Sequence, residues 1–112
     1  MKLQVIEQKL YIKAIKKLSK KYSNIYKDVN DFLDSITSKK DLGVELQSNV
    51  YKTRIKNSNK NKGKSGGYRL ISYLKIVNNE LHLLYIYDKS QISNLTEKEI
   101  DDLIISQVNE NE

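Results

Sequence analysis

Seven basic residues and no acidic one lie between Tyr51 and Arg69: Lys52, Arg54, Lys56, Lys60, Lys62, Lys64 and Arg69. Their chemistry is that of phosphate. A guanidinium is a planar fork that meets a phosphate at two points, and ammonium groups add point charges around it. The remainder of the chain is close to neutral, so the whole net charge of +6 can be assigned to this stretch. Gly63, Gly66 and Gly67 fall in it as well. A basic, glycine-containing loop between apolar runs is a site for a polyanion, and nucleic acid is the commonest such partner.

Clustered cations can also catalyse. In RNA the ribose 2′-hydroxyl can attack its own phosphate, and a catalyst must orient that attack, stabilise the extra negative charge and help proton transfer. Cations serve the second need directly. Like-charge repulsion can lower the pKa of one lysine so that it acts as a base. The plainer alternative is a loop that only binds backbone phosphates, and composition alone favours it.

Other chemistries are poorly supplied. His82 is the single histidine, and strand alternation groups it with Leu84 and Ile86 as a sheet histidine. No nucleophile–histidine–acid set can be assembled around it. With no cysteine there is neither a disulfide nor a thiolate metal site, and one histidine makes no metal cluster. The run Gly63-Lys64-Ser65-Gly66-Gly67 lacks the earlier glycine of a P-loop and leads into a strand, which excludes nucleotide hydrolysis. No metal or cofactor site is read.

The elements that must position the basic stretch follow from periodicity. Ile6, Leu10, Ala14, Ile15, Leu18 and Tyr22 recur at helical spacing, predicting a helix from about Val5 to Lys21. Lys9, Lys13, Lys16, Lys17 and Lys20 form its solvated face. A second helix spans about Asn24 to Thr37, capped by Ser23 or Asn24, with Ile25, Val29, Phe32, Leu33 and Ile36 as its stripe. The two make an antiparallel pair over residues 1–42, followed by a short loop to Gly43. Residues 50–56, 67–77 and 81–88 then read as an antiparallel meander, with the basic loop at 57–66 and a turn at Asn78-Asn79. Alternation puts Val50, Lys52, Arg54 and Lys56 on one face, where three cations repel unless that face meets solvent or an anion. A last helix spans 96–108, with Thr96 and Glu99 at capping-box spacing and Ile100, Leu103, Ile104 and Val108 as its stripe. Its acidic residues Glu97, Glu99, Asp101 and Asp102 suit the helix dipole. The expectation is one α+β domain over 1–112: two N-terminal helices, a small curved antiparallel sheet and a C-terminal helix.

At 112 residues the chain supports one modest core. It has no apolar run long enough for a membrane span, and its N-terminus lacks the continuous apolar stretch of a signal peptide. A cytoplasmic location, with no membrane partner, is expected.

Four motifs carry a family resemblance. They are Tyr51-Lys52-x-Arg54; Gly63-Lys64-Ser65-Gly66-Gly67-Tyr68-Arg69-Leu70-Ile71-x-Tyr73; Leu83-Leu84-Tyr85-Ile86-Tyr87-x-Lys89-Ser90; and Asn94-Leu95-Thr96-x-x-Glu99-Ile100. Together they resemble the RelE/HigB-like toxins of bacterial toxin–antitoxin modules, within the RelE/ParE superfamily, over about Val50 to Ile104. The resemblance implies a RelE-like fold and an endoribonuclease, an mRNA interferase that cleaves messages in the ribosomal A site without a metal. It implies two partners, a cognate antitoxin and the ribosome with its mRNA.

Carried over residue by residue, Arg69 would hold the scissile phosphate, and Lys52 or Arg54 would help activate the 2′-hydroxyl or neutralise charge. Lys89 would assist at the far edge. Lys56, Lys62 and Lys64 would bind RNA, and the lysines from Asn57 to Lys62 read as general attraction for it. Several members of the family stack a C-terminal tyrosine on the substrate base. Gln91 to Thr96 has no aromatic residue, which leaves Tyr73 or Tyr87 for that role. Two other readings stand beside this one: a non-catalytic inhibitor of DNA gyrase, as in ParE-like relatives, and a passive basic RNA-binding module.

Overall fold

A computed structural model describes residues 2–60, 66–91 and 95–110, with side chains through Gln107. The chain runs β1 (Gln4–Glu7), α1 (Lys9–Ser19), α2 (Ile25–Ser35), β2 (Val44–Gln47), β3 (Val50–Ile55), β4 (Tyr68–Lys75), β5 (Glu80–Asp88) and α3 (Glu97–Glu110). The fold is α+β, with the helix–sheet–helix order expected. The sheet is larger than the meander: five strands in the order β1-β5-β4-β3-β2.

Two strands were hidden in the sequence. β1 takes Val5 and Ile6, which the helical spacing assigned to the first helix, and pairs parallel with β5 through Gln4–Glu80 and Ile6–His82. Gln8 is extended (ψ 158°), so the helix begins only at Lys9. β2 is a short edge strand, antiparallel to β3. Gly43 lets the chain enter it. Its φ is 103°, and a Cβ there would run into the Lys52 carbonyl.

The α2 cap also differs. Asn24 occupies the cap position, but its side chain makes no capping hydrogen bond. Its backbone N–H instead donates to Asn59 Oδ1 at 2.9 Å. Asn78 and Asn79 have φ of 70° and 50°, the left-handed pair that a tight β4–β5 connection requires. The capping box of α3 is formed, with Glu99 N–H on Thr96 Oγ1 at 3.1 Å and Thr96 N–H on Glu99 Oε1 at 3.0 Å.

Each face of the sheet has its own helical cover. On one, Tyr11, Ile15 and Leu18 of α1 and Ile25 and Val29 of α2 pack with Tyr51, Ile55, Tyr68, Leu70, Leu74, Leu81, Leu83 and Ile86. α3 covers the other face. Ile100 and Ile104 pack there on Val50, Ile71, Leu84 and Tyr87. The alternation reading of β5 needs one correction. The β4–β5 register slips between Ile71–Tyr85 and Ser72–Leu83, leaving Leu84 as an extra residue. This bulge reverses the phase of the strand. Ile86 therefore joins the α1–α2 core instead of sharing a face with His82 and Leu84, and Tyr87 turns towards α3.

Candidate functional site

β3 and β4 bring the basic residues together through register. Arg54 pairs with Arg69, and Lys52 with Ile71; Arg69 pairs in turn with Tyr87 on β5. Gly67 fixes where β4 starts. It is needed for room rather than for a left-handed turn: a Cβ there would collide with the Ile55 carbonyl. The returning chain thus lies against the end of β3, and Arg69 follows two residues later.

Lys52, Arg69 and Lys89 converge on one carboxylate. Glu97 Oε2 accepts from Lys52 Nζ at 3.0 Å. Glu97 Oε1 lies 3.6 Å from Arg69 Nε and 3.4 Å from Lys89 Nζ, yet it makes no hydrogen bond. Asp101, one turn further along α3, accepts from Lys52 Nζ at 2.7 Å and from the Tyr87 hydroxyl at 3.3 Å. Arg69 has no exposed surface; one of its guanidinium nitrogens also donates to the Tyr68 carbonyl at 3.3 Å. Of the three β3 cations expected to repel, Lys52 is answered from within the chain, while Arg54 and Lys56 are exposed.

These neighbours set the ionisation. Burial works against the charge on Lys52, but Asp101 and Glu97 outweigh it, so its pKa is raised. The expectation of a lysine lowered by its neighbours is not met at Lys52. Burial likewise works against the Glu97 carboxylate, and Lys52, Arg69 and Lys89 outweigh it, holding it below its ordinary value. Burial first, then Asp101 and Glu97, push the Tyr87 hydroxyl up; Arg69 offsets part of this.

The remaining candidates lie apart. Arg54 and Lys56 are exposed and line an open groove of about 470 Å³ with Asp28 and Asp31 of α2, and Asp41. Lys62 and Lys64 lie outside the described residues. Tyr87 is 4% exposed and held by Asp101, so it offers no ring face to a base. Tyr73 is half-buried and tilted against the His82 ring, 5.9 Å between centroids. His82 accepts from or donates to Gln8 and Glu80. It sits five residues along β5 from Tyr87, roughly 15 Å away from the cluster's end of the strand.

Lys60 is not a free attractor for RNA. It donates to Asp88 Oδ2 at 3.1 Å and to Ser90 Oγ at 2.9 Å, and lies 5.0 Å from the centroid of the Tyr22 ring. Tyr22 donates to the same Asp88 at 2.6 Å. With Ser58 N–H on Asp28 Oδ2, these bonds tie the first half of the basic loop to α2 and to the end of β5.

A sequence model described as the RelE toxin of the RelE/RelB toxin–antitoxin system matches residues 4–106. The chain belongs to the RelE toxin family. The match takes in β1, α1 and α2, which the four motifs did not reach. Membership makes an antitoxin the implied partner of this toxin. No match to the chain is found among curated proteins. Among the described residues, no helix is long and apolar enough to cross a membrane.

Two residues at the toxin's cation cluster escaped the sequence reading: Glu97 and Asp101, which the helix dipole alone seemed to explain. The missed signal is spacing. Residues 97, 100, 101 and 104 share one helix face, so the two carboxylates ride beside the stripe that meets the sheet. Glu99 and Asp102 point to solvent.

Proposed function

We propose that this toxin is a ribosome-dependent mRNA endonuclease of the cytoplasm, and that Lys52, Arg69 and Lys89 form its phosphate site. The single observation behind this reading is their convergence on one carboxylate from three separate positions in the fold. A phosphodiester is an anion of similar reach, with two non-bridging oxygens.

In the proposed step the 2′-oxygen bonds to phosphorus as the bond from phosphorus to the 5′-oxygen breaks. The products are a 2′,3′-cyclic phosphate and a free 5′-hydroxyl. Arg69 holds and neutralises the pentavalent phosphate, with Lys89 at its outer edge. Lys52 keeps its proton, which suits it to charge neutralisation and to protonating the departing 5′-oxygen rather than to acting as base. The 2′-hydroxyl proton passes to water. Arg54 and Lys56, exposed on the groove they share with α2, guide the backbone of the message. Fixed charges of this kind act most strongly where water is excluded.

The test is induced expression of wild type and Arg69→Ala, with new 5′ ends mapped on translating messages. Toxicity with cleavage that Arg69→Ala abolishes is expected. Toxicity with DNA-damage signalling and no new ends would replace this reading with gyrase inhibition. Absence of both would leave a passive RNA-binding module.

A further inference from the structure

We propose that the first turns of α3 are a built-in counter-anion, with Glu97 and Asp101 occupying the phosphate site so that RNA gains it only by displacing them. This rests on the reading of Lys52, Arg69 and Lys89 as that site. As the chain is folded, Arg69 has no exposed surface and Glu97 stands at its Nε. A ligand oxygen cannot take that place while the carboxylate fills it.

The occupant is imperfectly held. Oε1 of Glu97 is buried between Arg69 and Lys89 without a well-formed hydrogen bond, so the carboxylate is held by directed bonding only on its Oε2 side, by Lys52, and by charge on the side that faces Arg69. Charge without directed bonds repays little of the cost of desolvating the group. A phosphodiester brings more acceptor lone pairs to the same three donors. The apolar hold on α3 is also narrow: among its described side chains only Ile100 and Ile104 are buried hydrophobics. The groups facing Glu97 are Lys52 from β3, Arg69 from β4, Lys89 beyond β5, and Asp101 and Tyr87 next to them. Glu97 is therefore a regulating group rather than a catalytic one. Its removal opens the site.

The experiment measures binding of a fluorescein-labelled 2′-O-methyl oligoribonucleotide, which keeps its phosphates and cannot be cleaved by 2′-attack. Wild type, Glu97→Gln and Asp102→Asn are compared. Asp102 lies on the same helix, exposed and paired with Lys98, so its variant changes the net charge equally without touching the cluster. Apparent affinity falls with the fraction of molecules that are open, so Glu97→Gln should bind about tenfold tighter than wild type if one in ten is open. Asp102→Asn should gain no more than about twofold, as befits an exposed charge. Equal gains in the two variants, or weaker binding by Glu97→Gln, would overturn the proposal.

Hydrogen exchange on wild type gives a second measure that no folding defect can confound. Amides of residues 97–107 should lose protection when the oligonucleotide binds; unchanged or increased protection would also overturn it. The two readings fail separately. If no message is cleaved but Glu97→Gln still binds more tightly than Asp102→Asn, the endonuclease is lost and the counter-anion stands. If wild type cleaves and the two variants bind alike, the reverse holds.

Discussion

The α1–α2 face of the sheet is sealed by apolar side chains from three directions, among them Ile25, Tyr68, Leu70 and Leu81 with no exposed surface. The α3 face joins a smaller apolar patch to a group of ions: Ile100 and Ile104 on the sheet, with Glu97 and Asp101 interleaved beside them on Arg69 and Lys52. Each buried aliphatic side chain contributes roughly 1.5–3 kcal/mol, whereas a buried ion pair often nets close to nothing against an apolar substitute. The first face is thus held by bulk and the second by fit. A layer held mainly by fit can separate without taking the rest of the domain with it.

The sharpest attack on that contrast is to truncate one residue on each face. Leu70→Ala should cost about 3 kcal/mol, as full burial implies, and lower protection throughout the chain in urea-dependent hydrogen exchange. Ile104→Ala should release the amides of α3 while those of β3, β4 and β5 stay protected. If both variants unfold as one cooperative unit, the two faces are not separable.

Asp88→Asn tests the charged anchor on the α1–α2 side. Its side chain is fully buried and bonded to Tyr22, Lys60 and Ser90. Loss of about 2 kcal/mol in urea unfolding is expected, the range for hydrogen bonds to a charged group. A change below about 0.5 kcal/mol would show that the loop is not anchored there. Thr96→Ala should cost about 1 kcal/mol by removing the cap, felt only in α3; equal loss across the sheet would contradict this.

Acid should produce the smallest effect, and in a definite order. The ordinary value of Glu97 is 4.5 and its folded value lies below it. Its contribution to docking α3 is complete above pH 4.5 and drains away as pH falls through the depressed value. Asp88 is depressed too: burial opposes its charge, but the bonds from Tyr22, Ser90 and Lys60 prevail. Its ordinary value is 3.8, so its loss begins at lower pH. Amide protection should therefore decline first in α3 and later in the 57–60 segment. The opposite order in a pH series would reverse the assignment of the weaker face.

The sequence made α2, the three central strands, the paired asparagine turn and the α3 capping box legible, because each is specified by neighbours in the chain. It also placed Lys52 and Arg54 on one face by simple alternation. What stayed hidden depends on distant partners. Val5 and Ile6 fit a helix period as well as a strand, and only β5, more than seventy residues away, decides between them. The extra residue at Leu84 could not be seen without the register of β4. The carboxylates on Lys52 were visible as residues but not as partners, since local reasoning had already given them a role at the helix terminus.

The parallel pairing of β1 with β5 sets an order of events during synthesis. The first strand made is a neighbour of the last, so Gln4 to Glu7 have no ladder to join until residues 80–83 exist. Contacts of such long separation form late. The register of the basic residues is set wholly by strand pairing, so it stands whether or not the helix that neutralises them is in place.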